Sequence, residues 1–301
     1  MRSFAVFVLL CFTSPVFAGA SAWVPVEIRD GMVLMDITVN GEPAKAQLDS
    51  GSTHNGVSQA YLDSHQGEYT RGRWIELQGL KEDYETNEIN GLVVGMFGAE
   101  TDLNNLWPMH VEGADIIIGV PFFEQFVVQI DYPGKRIRIA DHKSLDLRKY
   151  SNVEMKWSTS SLSPMIRVDL NGEFDAWLDL DTGNKGGILM PRKKAANLGW
   201  LDRYQLADGK IVGMSGESAD TESFAIPAVT LGPFELENVA VAVPAEGEHL
   251  YLSTRRSIEN STGTRIKKGR KSDGLLGYDL LRHFIVSIDY KRELVNIDVP
   301  R

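Results

Sequence analysis

Two short stretches carry residue types suited to proton chemistry, Asp49-Ser50-Gly51-Ser52 and Asp181-Thr182-Gly183-Asn184. A single Asp-Ser/Thr-Gly is ordinary turn chemistry. Here it occurs twice, each time after an alternating apolar segment of the kind that forms a half-buried strand. A pseudo-two-fold relation between the two copies would set Asp49 and Asp181 side by side. Two carboxyl groups so close do not both ionise easily, so the pair holds one proton over a wide pH range. The charged member can then act as general base toward water, while the protonated member hydrogen-bonds a carbonyl and acts as acid. That chemistry hydrolyses an amide with neither a covalent intermediate nor a metal. Gly51 and Gly183 permit a tight turn with close backbone approach. The hydroxyls of Ser50 and Thr182 can lock the two turns together, which matters because a misplacement of ~1 Å can cost ~100-fold in rate.

The elements that would position these turns are duplicated. "MVLMDITVNGEPAKAQLDSGS" (32–52) lies beside "PMIRVDLNGEFDAWLDLDTGN" (164–184), with Asn40-Gly41-Glu42 recurring as Asn171-Gly172-Glu173. Met35, Ile37 and Val39 alternate in one copy, and Ile166, Val168 and Leu170 in the other. Alternation into Asn-Gly predicts strand, hairpin turn, strand. Asn40 precedes Asp49 by nine residues and Asn171 precedes Asp181 by ten, so a β-bulge is expected to absorb the difference. "DIIIGVPFFEQFVVQIDYPGKRIRI" (115–139) recurs as "DGLLGYDLLRHFIVSIDYKRELVNI" (273–297), 158 positions on. Helical patterns are short, "VSQAYLDSH" (57–65) and "PRKKAANLG" (191–199), and the fold class reads as all-β.

The sequence resembles the aspartic protease clan that includes retropepsins and pepsins. "LDSGSTHNGVS" (48–58) is similar to the active-site segment of retroelement proteases, and "IIIG" (116–119) and "GLLG" (274–277) resemble the clan's second signature. The resemblance covers nearly the whole chain after residue 22, twice, as in a duplicated, bacterial-type secreted member. It implies two β-barrel lobes related by a pseudo-two-fold axis, an N-terminal lobe over 23–148 and a C-terminal lobe over 149–301. It assigns the catalytic role to Asp49 and Asp181 and the cross-lobe hydroxyls to Ser50 and Thr182, with Gly51, Ser52 and Gly183 supporting the turns. Asn184 departs from the clan, where a small or hydroxyl residue is usual.

The resemblance also implies hairpin flaps. "WIELQGLKEDYET" (74–86), with its tip near Gly79 to Asp83, is one candidate, and "KIVGMSGESADTE" (210–222), with Gly213 in its tip, is the other. Tyr84 reads either as a flap tyrosine or as an aromatic half-packed on a strand. Gln47 and Asp179 stand two residues before each Asp and share its face, where the clan usually has apolar pocket walls. Asp179 as a third carboxylate would favour a basic substrate side chain and raise the pair's pKa; otherwise it tips into solvent or pairs with a Lys or Arg.

Composition bounds the rest. At 43% apolar and 24% charged the chain can bury real cores, and a net charge of −10 argues against a nucleic-acid partner. Arg2, the apolar run "FAVFVLLCF" (4–12) and the small residues of "SPVFAGASA" (14–22) predict a signal peptide over 1–22, cleaved after Ala18 or Ala22. The run is too short to span a bilayer, and no later segment spans one. The expected destination is the periplasm or the medium. Cys11, the single cysteine, lies in this segment, so no disulfide is expected. His54, His65, His110, His142, His249 and His283 show no ligand spacing, so no metal and no cofactor is expected. His54 reads as structural. The basic stretch 254–271 has no counterpart in the first half; it reads as a solvated insertion, an acidic-polymer site or a nicking site. The reading reached is a monomeric endopeptidase acting on extended polypeptide, with a non-catalytic peptide-binding clamp as the alternative.

Overall fold

A computed structural model describes residues 19–158, 163–250 and 271–300. Most of the expected signal peptide, up to residue 18, and the basic stretch as far as residue 270 lie outside the described residues. Strands Met32–Val39 and Glu42–Leu48 pair antiparallel, as do Pro164–Leu170 and Phe174–Leu180. The alternating residues point into the core: Met35, Ile37, Val39, Ile166, Val168 and Leu170 are all buried. Each hairpin turns through Asn-Gly in the left-handed region, with φ of 51° and 87° at Asn40 and Gly41 and 61° and 67° at Asn171 and Gly172. That conformation suits Asn and Gly better than any other pair and matches the strands' own twist. The extra residue of the second copy makes no bulge. Val39 pairs with Glu42, but Leu170 pairs with Phe174, so Glu173 lengthens the turn instead. A polar anchor holds it there: its carboxylate accepts from Trp200 Nε1 at 2.9 Å and pairs with Arg203.

A third strand runs parallel beside each hairpin. Ile116–Ile118 lies along Glu42–Leu48, and Gly274–Leu276 along Phe174–Leu180. The repeated Asp that precedes each strand fixes the register. Asp115 exchanges hydrogen bonds with the Lys45 backbone, and Asp273 does the same with Trp177. The repeated Gly that ends each strand lies against the catalytic-type turn. A Cβ at Gly119 would meet the Ser52 carbonyl oxygen at 2.6 Å, and one at Gly277 would meet the Asn184 side chain at 2.7 Å. Side chains there would push the turns away.

The "IDY" strands join the halves. Val127–Asp131 and Ile285–Asp289 pair antiparallel, with Arg136–Ala140 beside the first and Leu294–Asp298 beside the second in the same sheet. Gln129 opposes Ser287 and donates to its hydroxyl at 2.8 Å across the 158-residue spacing of the repeat. The pseudo-two-fold axis therefore passes between equivalent residues. Val128, Ile130, Val286 and Ile288 are fully buried beneath, each contributing about 1.5–3 kcal/mol relative to exposure. The architecture is nearly all-β, two β lobes about this axis. The short helices Gln59–Ser64 and Arg192–Asn197 follow the turns, the first capped by the Ser58 hydroxyl. Among the described residues no helix is long and apolar enough to cross a membrane.

Candidate active site

Each Asp turn hangs between its own hairpin and the parallel strand behind it. Asp49 N–H donates to Ile118 O and Asp181 N–H to Leu276 O, both at 3.0 Å. The halves then interlock. Ser50 N–H donates to Thr182 Oγ1 at 2.9 Å, and Thr182 N–H donates to Ser50 Oγ at 3.0 Å. Each hydroxyl passes its own proton to the other half's strand, Ser50 Oγ to Leu180 O at 2.6 Å and Thr182 Oγ1 to Leu48 O at 2.9 Å. All four bonds are buried, and none leaves a donor or acceptor over. The glycines set the approach. A Cβ on Gly51 would lie 2.6 Å from the Asp181 Cγ, and one on Gly183 would lie 2.5 Å from the Asp49 Cγ. Each carboxyl group thus rests over the other half's glycine, and the two carboxyls hydrogen-bond to each other.

Their surroundings differ. Asp49 Oδ1 accepts from Gly51 N–H and Ser52 N–H, both at 2.9 Å. Asp181 Oδ1 accepts from Gly183 N–H alone. Asn184 supplies no second donor: its N–H goes to the Asp181 backbone carbonyl, and its side chain folds back onto Gly186 and Gly187. Burial pushes the Asp181 carboxyl well above the usual range, and the Asp49 charge and the nearby Asp179 push the same way. Burial also raises Asp49, but the Ser52 and Gly51 donors and the proton of Asp181 oppose it. The unequal donors therefore favour charge on Asp49 and the shared proton on Asp181.

The family model described as Aspartyl protease matches residues 166–280. No curated protein matches the chain at a significant level. The matched span holds the second hairpin, the Asp181 turn and the "GLLG" strand, and it supports an aspartyl protease-like family. The two lobes together form the bilobal aspartic-protease-like fold.

Other expected residues fall in different places. Ser52 serves through its N–H; its hydroxyl donates to His54 O. His54 stacks on Trp107, with ring centroids 3.5 Å apart. Gln47 and Asp179 are buried, so Asp179 does not tip into solvent, and Gln47 Oε1 finds no hydrogen-bond partner among the described residues. Tyr84 stands on the strand Asp83–Asn90 of the first flap, half-buried, with its phenol pKa raised by burial and then by Glu217 of the opposite hairpin. The two hairpin tips touch. A Cβ on Gly213 would lie 2.9 Å from Leu80 Cβ, Lys81 N–H donates to Glu217 at 3.0 Å, and Lys81 pairs with Glu248. Among the described residues no group of three His, Cys, Asp or Glu could hold a metal.

Tyr290 was not singled out by the sequence pattern, though the repeated Ile-Asp-Tyr carried the signal. Its hydroxyl crosses the axis and donates to Ser50 O at 2.6 Å. Its counterpart Tyr132 is equally buried near Asp181, but its hydroxyl has no partner among the described residues.

Thr182→Val should orphan two buried backbone groups and cost about 1–3 kcal/mol for each in denaturant unfolding, whereas Thr182→Ser should cost well under half as much. Asp181 holds its proton more tightly folded than unfolded. It therefore favours the native state below its ordinary value of 3.8, and this contribution is lost as pH rises through the raised folded value. Asp181→Asn should abolish that loss, so the Tm of the wild type should fall relative to the variant between pH 4 and pH 7 in calorimetry. Parallel curves would place the proton elsewhere.

Proposed function

We propose that the chain is an exported aspartic endopeptidase that hydrolyses peptide bonds in extended polypeptides. The observation that carries this reading is the crossed pair, two carboxyls from separate halves held in contact with unequal numbers of donors. An ionised Asp49 removes a proton from a water held between the two side chains. The water oxygen attacks the scissile carbonyl carbon while Asp181 donates its hydrogen bond to the carbonyl oxygen. The proton taken by Asp49 then passes to the leaving nitrogen, and the C–N bond breaks. The interlocked turns fix the attacking geometry, which is where most of the gain lies in such a mechanism. The hairpins that meet tip to tip support a roofed cleft, in which substrate backbone adds as a strand against the flap. The leader supports export to the periplasm or the medium, and the duplicated halves support a monomer, since each supplies one carboxyl to the same site.

The direct test is incubation of the protein lacking its leader with denatured casein across pH 3 to 7. Cleavage that a statine-type transition-state analogue blocks, and that Asp181→Asn lacks, is the expected result. Peptide binding without cleavage at any pH would instead identify a binding clamp.

The pH profile of kcat/KM should be bell-shaped. Its acid limb reports uptake of a second proton by the coupled pair and its alkaline limb loss of the shared one. Asp179 raises Asp181, so Asp179→Asn should move the alkaline limb to lower pH. An unmoved limb would show that Asp179 does not act on the pair. The same variant reads specificity, since loss of a preference for Lys or Arg beside the scissile bond would assign Asp179 to a substrate pocket.

A further inference from the structure

The segment just past the expected leader is anchored along the edge of the central sheet. Ser21 N–H donates to Ile139 O at 2.8 Å, Ile139 N–H returns to Ser21 Oγ at 3.1 Å, and Ala20 bridges Ala140. Val24 pairs with Ile137, and the Trp23 ring lies under the guanidinium groups of Arg136 and Arg138 at 4.7 and 4.5 Å. At the head of this segment Gly19 N–H donates to Asp141 Oδ2 at 2.7 Å, and Asp141 N–H returns to Gly19 O at 3.1 Å. The rest of the carboxylate is held as firmly. Ser144 Oγ donates to Oδ2 at 2.6 Å, and the Lys143 and Ser144 N–H groups donate to Oδ1 at 2.7 and 2.8 Å. The Ser144 hydroxyl first, and then Gly19, hold the Asp141 carboxyl far below the usual range. It is a preformed anionic socket, and the nitrogen of Gly19 is its ligand.

We infer that Asp141 receives the α-ammonium group of the mature chain, created by hydrolysis of the Ala18–Gly19 peptide bond. Water adds across that bond, Ala18 leaves as a carboxylate, and the Gly19 nitrogen takes up a proton to become the new N-terminus. This rests on the leader reading and not on the peptide-hydrolysis reading. Ala18 supplies the small residue just before this bond, with Val16 two positions earlier, whereas Ala20 and Ala22 give the full A-x-A pattern for the later site. The structure separates the two sites. Cleavage after Ala22 would discard Gly19 to Ala22 and with them the Gly19 bonds to Asp141, the Ala20 bridge to Ala140 and the Ser21 bonds to Ile139. Cleavage after Ala18 keeps them all and replaces one neutral N–H donor by a cation. Charge-assisted hydrogen bonds are roughly twice as strong as neutral ones. Processing and docking of the edge segment are thereby coupled: the mature chain fits the socket better than the uncut one.

The test is in two parts. The full chain with its leader is produced in an exporting bacterial host and its intact mass measured. The expected mass is that of residues 19–301; a chain that begins at Trp23, or that retains residues 1–18, overturns the inference. Thermal unfolding is then compared for the form beginning at Gly19 and for a form carrying Met-Lys before Gly19, each with and without Asp141→Asn. Asp141→Asn should lower the Tm by roughly 2–4 °C more in the first form than in the second. Equal losses in the two forms would show that Asp141 does not bind the ammonium group. Casein cleavage reads the hydrolase proposal separately, so failure of one leaves the other standing.

Discussion

Two carboxyl groups in contact repel each other when both are charged, and burial penalises every charge they carry. Such a pair persists only where the backbone around it is held too firmly to relax apart. In this protein the crossed bonds of Ser50 and Thr182 provide that hold. Each hydroxyl both accepts from the opposite turn and donates to the opposite strand, so neither half can withdraw without orphaning buried groups. The repeated Gly119 and Gly277 let the strand behind each turn approach, and Gly51 and Gly183 let the carboxyls cross. The rest of the fold serves to bring these four glycines and two hydroxyls to one axis.

Duplication gives near-symmetric backbones but not symmetric electrostatics. One additional N–H at Asp49, absent at Asp181, biases the shared proton toward Asp181. Asp179 stands where the first half has the neutral Gln47, and its charge adds to the bias. The tyrosines behind the turns diverge as well: Tyr290 braces the Asp49 turn through Ser50 O, whereas Tyr132 makes no matching bond. The extra donor favours charge on the first half's carboxyl, and Asp179 disfavours it on the second's. A symmetric pair would leave the proton undecided between two equivalent sites; here the divergence of the halves biases it toward Asp181.

The central sheet and the hairpins connect the halves at opposite ends. The sheet is rigid by burial, with Val128, Ile130, Val286 and Ile288 sealed beneath it. The hairpin contact is smaller and peripheral: Leu80 packs against Gly213, Lys81 N–H donates to Glu217, and Lys81 pairs with Glu248 at partly exposed positions. The exposed Lys81–Glu248 pair contributes about 0–1 kcal/mol, far less than the buried apolar residues of the sheet. The same sheet edge takes up the segment Gly19–Pro25, which ties it to the element that joins the lobes.

Much of this was legible in residue order. Alternation and Asn-Gly spacing specified both hairpins, because side-chain direction in a strand follows period two and Asn-Gly takes up left-handed backbone readily. The repeated Asp-Ser/Thr-Gly identified the facing turns, because internal duplication implies a symmetry axis. The fate of the extra residue before Asp181 was not legible. A bulge and a longer turn satisfy the same count, and only the contacts of Glu173 with Trp200 and Arg203 chose the turn. Nor was the location of the proton, which depends on how many N–H groups converge on each carboxyl in space. The burial of Gln47 and Asp179, the meeting of the hairpin tips and the reach of Tyr290 across the axis were also decided by tertiary structure. Each joins residues far apart in the chain, and local sequence fixes the direction of a side chain but not the neighbour that folding brings to it.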